Sequence, residues 1–81
     1  MYKINQDLIV RDDDKSLFSL ENMEVYEFNE IGFQAILIVC NKQIESYEQW
    51  EYEVSIIEGA DISEMREFWQ GLIDNNILEI D

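Results

Sequence analysis

The side chains that most often perform chemistry are nearly missing from this sequence. Histidine is absent, Cys40 is the only cysteine, and 19 acids stand against 5 bases. Without imidazole the usual nucleophile–base pairs cannot be assembled, and Cys40 has no neighbour to take its proton. Cys40 also closes the apolar run Ala35-Ile36-Leu37-Ile38-Val39-Cys40, which predicts a buried, inert thiol. Zinc needs several thiolate or imidazole ligands, and this chain offers one. Asp12-Asp13-Asp14 lacks the spacing and the closing glutamate of a calcium loop, so it reads as a solvated turn. No glycine-rich phosphate loop is present. Paired carboxylates are inevitable among so many acids and carry no weight. The expectation is a protein that is not an enzyme and needs no metal or cofactor.

The formal net charge is −14, and it is unevenly spread. Residues 1–42 hold eight acids and four bases, whereas residues 43–81 hold eleven acids and one base. Nucleic acids and anionic membranes both require a basic footprint, so neither is expected as a partner. The acidity is read first as a solubility device and second as a field that would steer a basic partner. The longest apolar run is six residues, far short of the roughly 17–25 that a membrane helix requires. The N-terminus lacks a basic, apolar and cleavage-site series, which makes a cytoplasmic protein the expectation. With 81 residues, 47% of them hydrophobic, the chain has material for one small domain, and disorder is disfavoured.

Local patterns predict the order of elements. Ile4, Leu8 and Val10 suggest a strand over 4–11, Leu17 to Leu20 a second, and Glu24 to Phe28 a third. Turns as short as 11–15 and 21–22 join neighbours antiparallel, because a parallel crossover needs far more chain. Asn29 is a good N-cap for a helix over 30–40, with Glu30 at the end where the helix dipole favours an anion. Ser46 and Gln49 form a capping box before a helix reaching about Ile57, which Gly59 can end in the left-handed conformation. Asp61 and Glu64 form another before a helix over 61–75. That helix has the apolar face Ile62, Met65, Phe68/Trp69, Leu72 and Ile73, with Glu64, Glu67, Gln70 and Asp74 opposite. Ile77, Leu78 and Ile80 are expected to pack back as an extended tail. The predicted architecture is α+β, three strands then three helices, and it is compatible with a winged-helix-like fold.

Two features suggest protein or peptide binding. The third strand is a candidate sheet edge, and an open edge accepts an extended peptide through backbone hydrogen bonds. Phe68 and Trp69 sit about 100° apart around one helix, so a single core stripe buries one fully while the other is free to wall a groove. Which does which stays open. Gly71, in the interior of the same helix, costs about 1 kcal/mol relative to alanine; it marks either a close approach by another backbone or a tolerated flaw, and the flaw is preferred.

The segments Asn5 to Arg11, Val25-Tyr26-Glu27-Phe28-Asn29-Glu30-Ile31-Gly32 and Phe68 to Leu78 (FWQGLIDNNIL) carry a resemblance. In this order they resemble the PqqD-like family, also described as the RiPP recognition element. The joint before the first helix is Phe28-Asn29-Glu30-Ile31-Gly32, and the ending is Phe68-Trp69, Leu72 and Ile77-Leu78, with Asn76 where glycine is common. Asn41-Lys42-Gln43 departs from the family by lacking a glycine-threonine signature, and Glu53 and Glu58 add unusual acidity. The resemblance implies a three-stranded wing on three helices that binds the leader of a ribosomally made precursor peptide. It also implies delivery to a modifying enzyme: a radical SAM enzyme, a cyclodehydratase or a leader protease. The leader would lie along Glu24, Val25, Tyr26, Glu27 and Phe28, with Met65, Phe68, Trp69 and Leu72 as a wall and Arg66 and Asp61 available for its charges. Two other readings are an acidic regulatory or inhibitory protein on a basic partner, and an oligomer subunit that buries Tyr26 and Trp69 against itself.

Overall fold

The computed structural model describes residues 1–80. The elements are β1 (Tyr2–Ile4), β2 (Leu8–Arg11), β3 (Ser16–Ser19), β4 (Val25–Glu27), α1 (Glu30–Asn41), α2 (Tyr47–Ser55), α3 (Ile62–Asp74) and β5 (Leu78–Ile80). β2, β3 and β4 form the expected three-stranded antiparallel sheet, in that spatial order. The strict order of three strands followed by three helices does not hold. The first expected strand is two strands, because the Asn5 side chain accepts from the Asp7 amide at 2.9 Å and turns the chain between them. β1 then leaves the meander and pairs antiparallel with β5, the C-terminal segment expected only as a tail. Asn5 ties both ends together by donating its side-chain amide to the Asn76 carbonyl at 2.8 Å.

The sheet has two unlike faces. Val10, Leu17 and Tyr26 are aligned across it on the inner side, and Ile9, Phe18 and Val25 on the outer side. Leu17 is fully buried, and Val10 and Tyr26 pack against the core. Ile9 and Val25 are exposed.

Each helix starts where a polar side chain takes up a free amide. Asn29 Oδ1 accepts from the Gly32 amide at 2.7 Å. Gly32 is closely hemmed in: a Cβ there would sit 3.1 Å from that same oxygen, which would have to shift by a few tenths of an ångström, and 3.5 Å from the Phe68 ring. Replacing Asn29 with alanine should cost about 1 kcal/mol, read as a melting point lower by about 4–8 °C. An unchanged melting point would show that this cap is energetically idle. Ser46 accepts from the Gln49 amide at 3.2 Å, while Gln49 reaches back to Glu45, one residue before the cap. The second expected box is not closed. Asp61 accepts from the Ser63 amide and hydroxyl, and the Glu64 side chain makes no return bond among the described residues. α2 stops at Ser55, earlier than expected, and Gly59 takes its positive φ of 88° in the following turn.

The core centres on Trp50 of α2, which is fully buried and donates its indole N–H to the Ala35 carbonyl of α1 at 3.0 Å. Ile36, Ile44 and Val54 are equally buried around it. Cys40 corrects an expectation: it is exposed, in the last turn of α1, one residue before the helix ends at Asn41. Partial burial of the sulfur, and then the Asp12 carboxylate, raise its pKa, so the thiol stays protonated near neutrality. Glu30 and Asp61 are shifted the other way. The Gln34 amide and then Lys15 lower the pKa of Glu30; the Ser63 hydroxyl and then its amide lower that of Asp61. Their contribution is present above the ordinary carboxylate range and lost as pH falls through the depressed values. Among the described residues no helix is long and apolar enough to cross a membrane.

Candidate functional site

β4 is the edge of its sheet, and its backbone polarity can be assigned. The Ser19 amide donates to the Glu24 carbonyl at 2.8 Å, and the Phe28 amide donates to the Lys15 carbonyl at 3.1 Å. Residues 24, 26 and 28 therefore turn their backbone groups towards β3. By alternation, Val25 and Glu27 turn their N–H and C=O groups outward. Two donors and two acceptors line that free edge.

α3 runs opposite this edge, and a trough lies between them. One part, of about 430 Å³, is lined by Val25, Tyr26, Glu27 and Phe28 from the strand side and Phe68, Gly71, Leu72, Asn75 and Ile77 from the other. The second, of about 300 Å³, is lined by Glu27, Phe28, Asn29, Ile31, Gly32, Gly59, Asp61, Glu64, Met65 and Phe68. Glu27, Phe28 and Phe68 border both, so the two parts adjoin along the same side of α3. Its middle is aromatic: Phe68 lies edge-on to Phe28 at 6.0 Å and nearly parallel to Trp50 at 6.3 Å between centroids.

The helical positions in this wall are 61, 64, 65, 68, 71, 72 and 75, which is one continuous stripe at spacings of three and four. The stripe settles the two adjacent aromatics. Phe68 is half-buried at the trough, whereas Trp69 is 5% exposed and packs into the core against Tyr2, Tyr47 and Trp50 at 4.9, 5.6 and 4.7 Å. Trp69 is thus not a wall residue. Arg66 is not one either: its guanidinium lies over the Tyr47 ring, 4.5 Å from the centroid.

The other expected residues divide clearly. Val25, Tyr26, Glu27, Phe28, Asp61, Met65, Phe68 and Leu72 all line the trough. Glu24 does not; it lies just before β4 and accepts a hydrogen bond from the Tyr26 hydroxyl at 3.1 Å. That bond, followed by burial, raises the pKa of Tyr26. Sequence reasoning placed Glu64 on the opposite face of α3 and did not include Asn29, Ile31, Gly32, Asn75 or Ile77. The i, i+3, i+4 series from Asp61 to Asn75 was the available signal, obscured because α3 is apolar on two sides.

Gly71 lies in this wall, and a Cβ built on it would meet nothing within 4 Å. No packing inside the domain requires glycine there. No protein-family model matches the chain, and comparisons with curated proteins and with solved structures give no match.

Proposed function

We propose that this domain is a non-catalytic binding module that takes up an extended peptide as an added strand beside β4, against α3. The peptide is the leader segment of a ribosomally made precursor, and the domain delivers it to a modifying enzyme, such as a radical SAM enzyme or cyclodehydratase, or to a leader protease. In this reading β2–β4 act as the wing of a winged-helix-like arrangement. The observation that carries the proposal is the outward backbone of Val25 and Glu27 above a trough walled by a helix. An incoming strand supplies four hydrogen-bond partners to this edge, each worth about 0.5–1.5 kcal/mol net. Its alternate side chains enter the trough and provide specificity. Gly71 adds support, since its missing side chain leaves space for an occupant and serves no contact within the domain.

The test is calorimetric titration and NMR mapping with the leader of a precursor peptide encoded beside the domain. Shifts should concentrate on residues 25–28 and on the α3 stripe from Asp61 to Asn75. Failure of every small peptide encoded nearby to bind would overturn the proposal. Binding of a basic protein through the acidic surface, with the trough unshifted, would instead favour an acidic regulatory protein.

A further inference from the structure

The trough has two chemically different ends. Towards the C-terminus of α3 its walls are largely apolar, with Val25, Leu72 and Ile77 around the open space above Gly71. Towards the N-terminus of α3 it is bordered by Glu27, Asp61 and Glu64, and no lysine or arginine lines it. Glu27 and Glu64 are exposed and make no ion pair or side-chain hydrogen bond among the described residues. Neither neighbouring base gives relief: Arg66, two residues after Glu64, lies over the Tyr47 ring. The Lys15 backbone carbonyl accepts from the Phe28 amide, but its ammonium is paired with Glu30 at 3.2 Å. The positive end of the α3 dipole amounts to about half a charge, against three carboxylates, of which only Asp61 is engaged at the helix start.

Resting on the strand-addition reading, we propose that the bound segment presents a lysine or arginine to Asp61 and Glu64, at the end of the trough that Glu27 makes still more acidic. On the same face it presents a bulky apolar side chain to the space over Gly71. Both must point at α3 from one strand. Side chains alternate along a strand, so the two residues are separated by an even number of positions, about two to four given the short stretch of edge. The charge selects which peptide enters, and the apolar residue sets its register. Acidic segments are repelled from one end of the trough and strongly polar ones gain nothing at the other.

The test is selection from a phage-displayed library of random twelve-residue peptides, on the wild-type domain and on a Glu27→Gln/Glu64→Gln variant. Both replaced side chains are exposed, and circular dichroism checks that the variant folds. Wild-type selection should enrich Lys or Arg at an even spacing from Leu, Ile, Phe or Trp. In a synthetic copy of an enriched peptide, replacing the cation with alanine should weaken wild-type binding by about 5- to 20-fold, and variant binding by less than about twofold. Raising salt from about 50 to about 500 mM should weaken the wild-type complex and scarcely affect the variant. Enriched peptides that lack a cation, or an equal loss on both domains, would overturn this inference and leave strand addition standing. Enriched peptides that bind without shifting Val25 or Glu27 would overturn strand addition itself, and this inference with it.

Discussion

Replacing Gly71 with leucine should leave the domain folded and abolish peptide binding. The position is interior to α3, and a Cβ added there meets nothing within 4 Å, so the native packing does not oppose a side chain. Removing a helix-interior glycine should even stabilise the domain. Gly71→Ala is expected to gain up to about 1 kcal/mol from helix propensity, a rise of about 4–8 °C in melting temperature. The same methyl group projects into the cavity that the peptide's apolar residue is to occupy. Alanine should therefore weaken binding by about tenfold, and leucine, whose larger side chain stands in the same space, by more than about a hundredfold. Stability and affinity thus move in opposite directions. If Gly71→Leu binds the leader as tightly as wild type, the trough is not the binding site.

Trp50→Ala is the largest expected loss of stability. The side chain is fully buried, contacts the rings of Tyr47, Phe68 and Trp69, and joins α2 to α1 through its bond to the Ala35 carbonyl. Truncating a buried tryptophan typically costs about 3–5 kcal/mol. A domain of this length holds about 4–12 kcal/mol in all, so the substitution should remove from about a quarter to all of its stability. Trp50→Phe keeps a ring in the core but forfeits the indole hydrogen bond, and should cost about half as much. Urea unfolding of the two variants gives the comparison. Equal midpoints for Trp50→Ala and wild type would mean that the core is not organised around this residue. Because Trp50 also backs Phe68, the phenylalanine variant should lose some peptide affinity even where it remains folded.

What was legible in the chain was local. Asn29 capping Gly32, Ser46 capping Gln49 and the meander of β2, β3 and β4 all rest on contacts close in sequence, and their residue types announce them. The β1–β5 pair joins Tyr2 to Ile80, and each strand has three residues. Nothing in so short a stretch specifies a partner at the far end of the chain. A single strand is expected over 4–11, with Gln6 and Ile9 off its pattern, although the Asn5 side chain makes a turn that separates two. Cys40 closes an apolar run, which points to burial, yet it stands in the last turn of α1 and is exposed there.

The candidate site was legible in the same uneven way. The strand residues Val25 to Phe28 were identifiable because the last strand of a short meander is a sheet edge. The helix side was harder. α3 packs Trp69 against α2 and turns Phe68 to the trough, a choice decided by the position of Trp50 and invisible to the spacing of two adjacent aromatics. Arg66, the single base in the acidic half, invited a role in recognition but lies over Tyr47. The face without it carries the acids that define the charge of the trough.

Strand addition at β4 makes a residue-specific prediction about amide exchange. In the free domain the Tyr26 amide, directed at β3, should exchange slowly, and those of Val25 and Glu27, directed outward, should exchange fast. The most direct measurement is hydrogen exchange by NMR on the domain saturated with a precursor leader. The account predicts that Val25 and Glu27 become protected together while Tyr26 changes little. A saturated complex in which both of those amides still exchange as fast as in the free domain would contradict it.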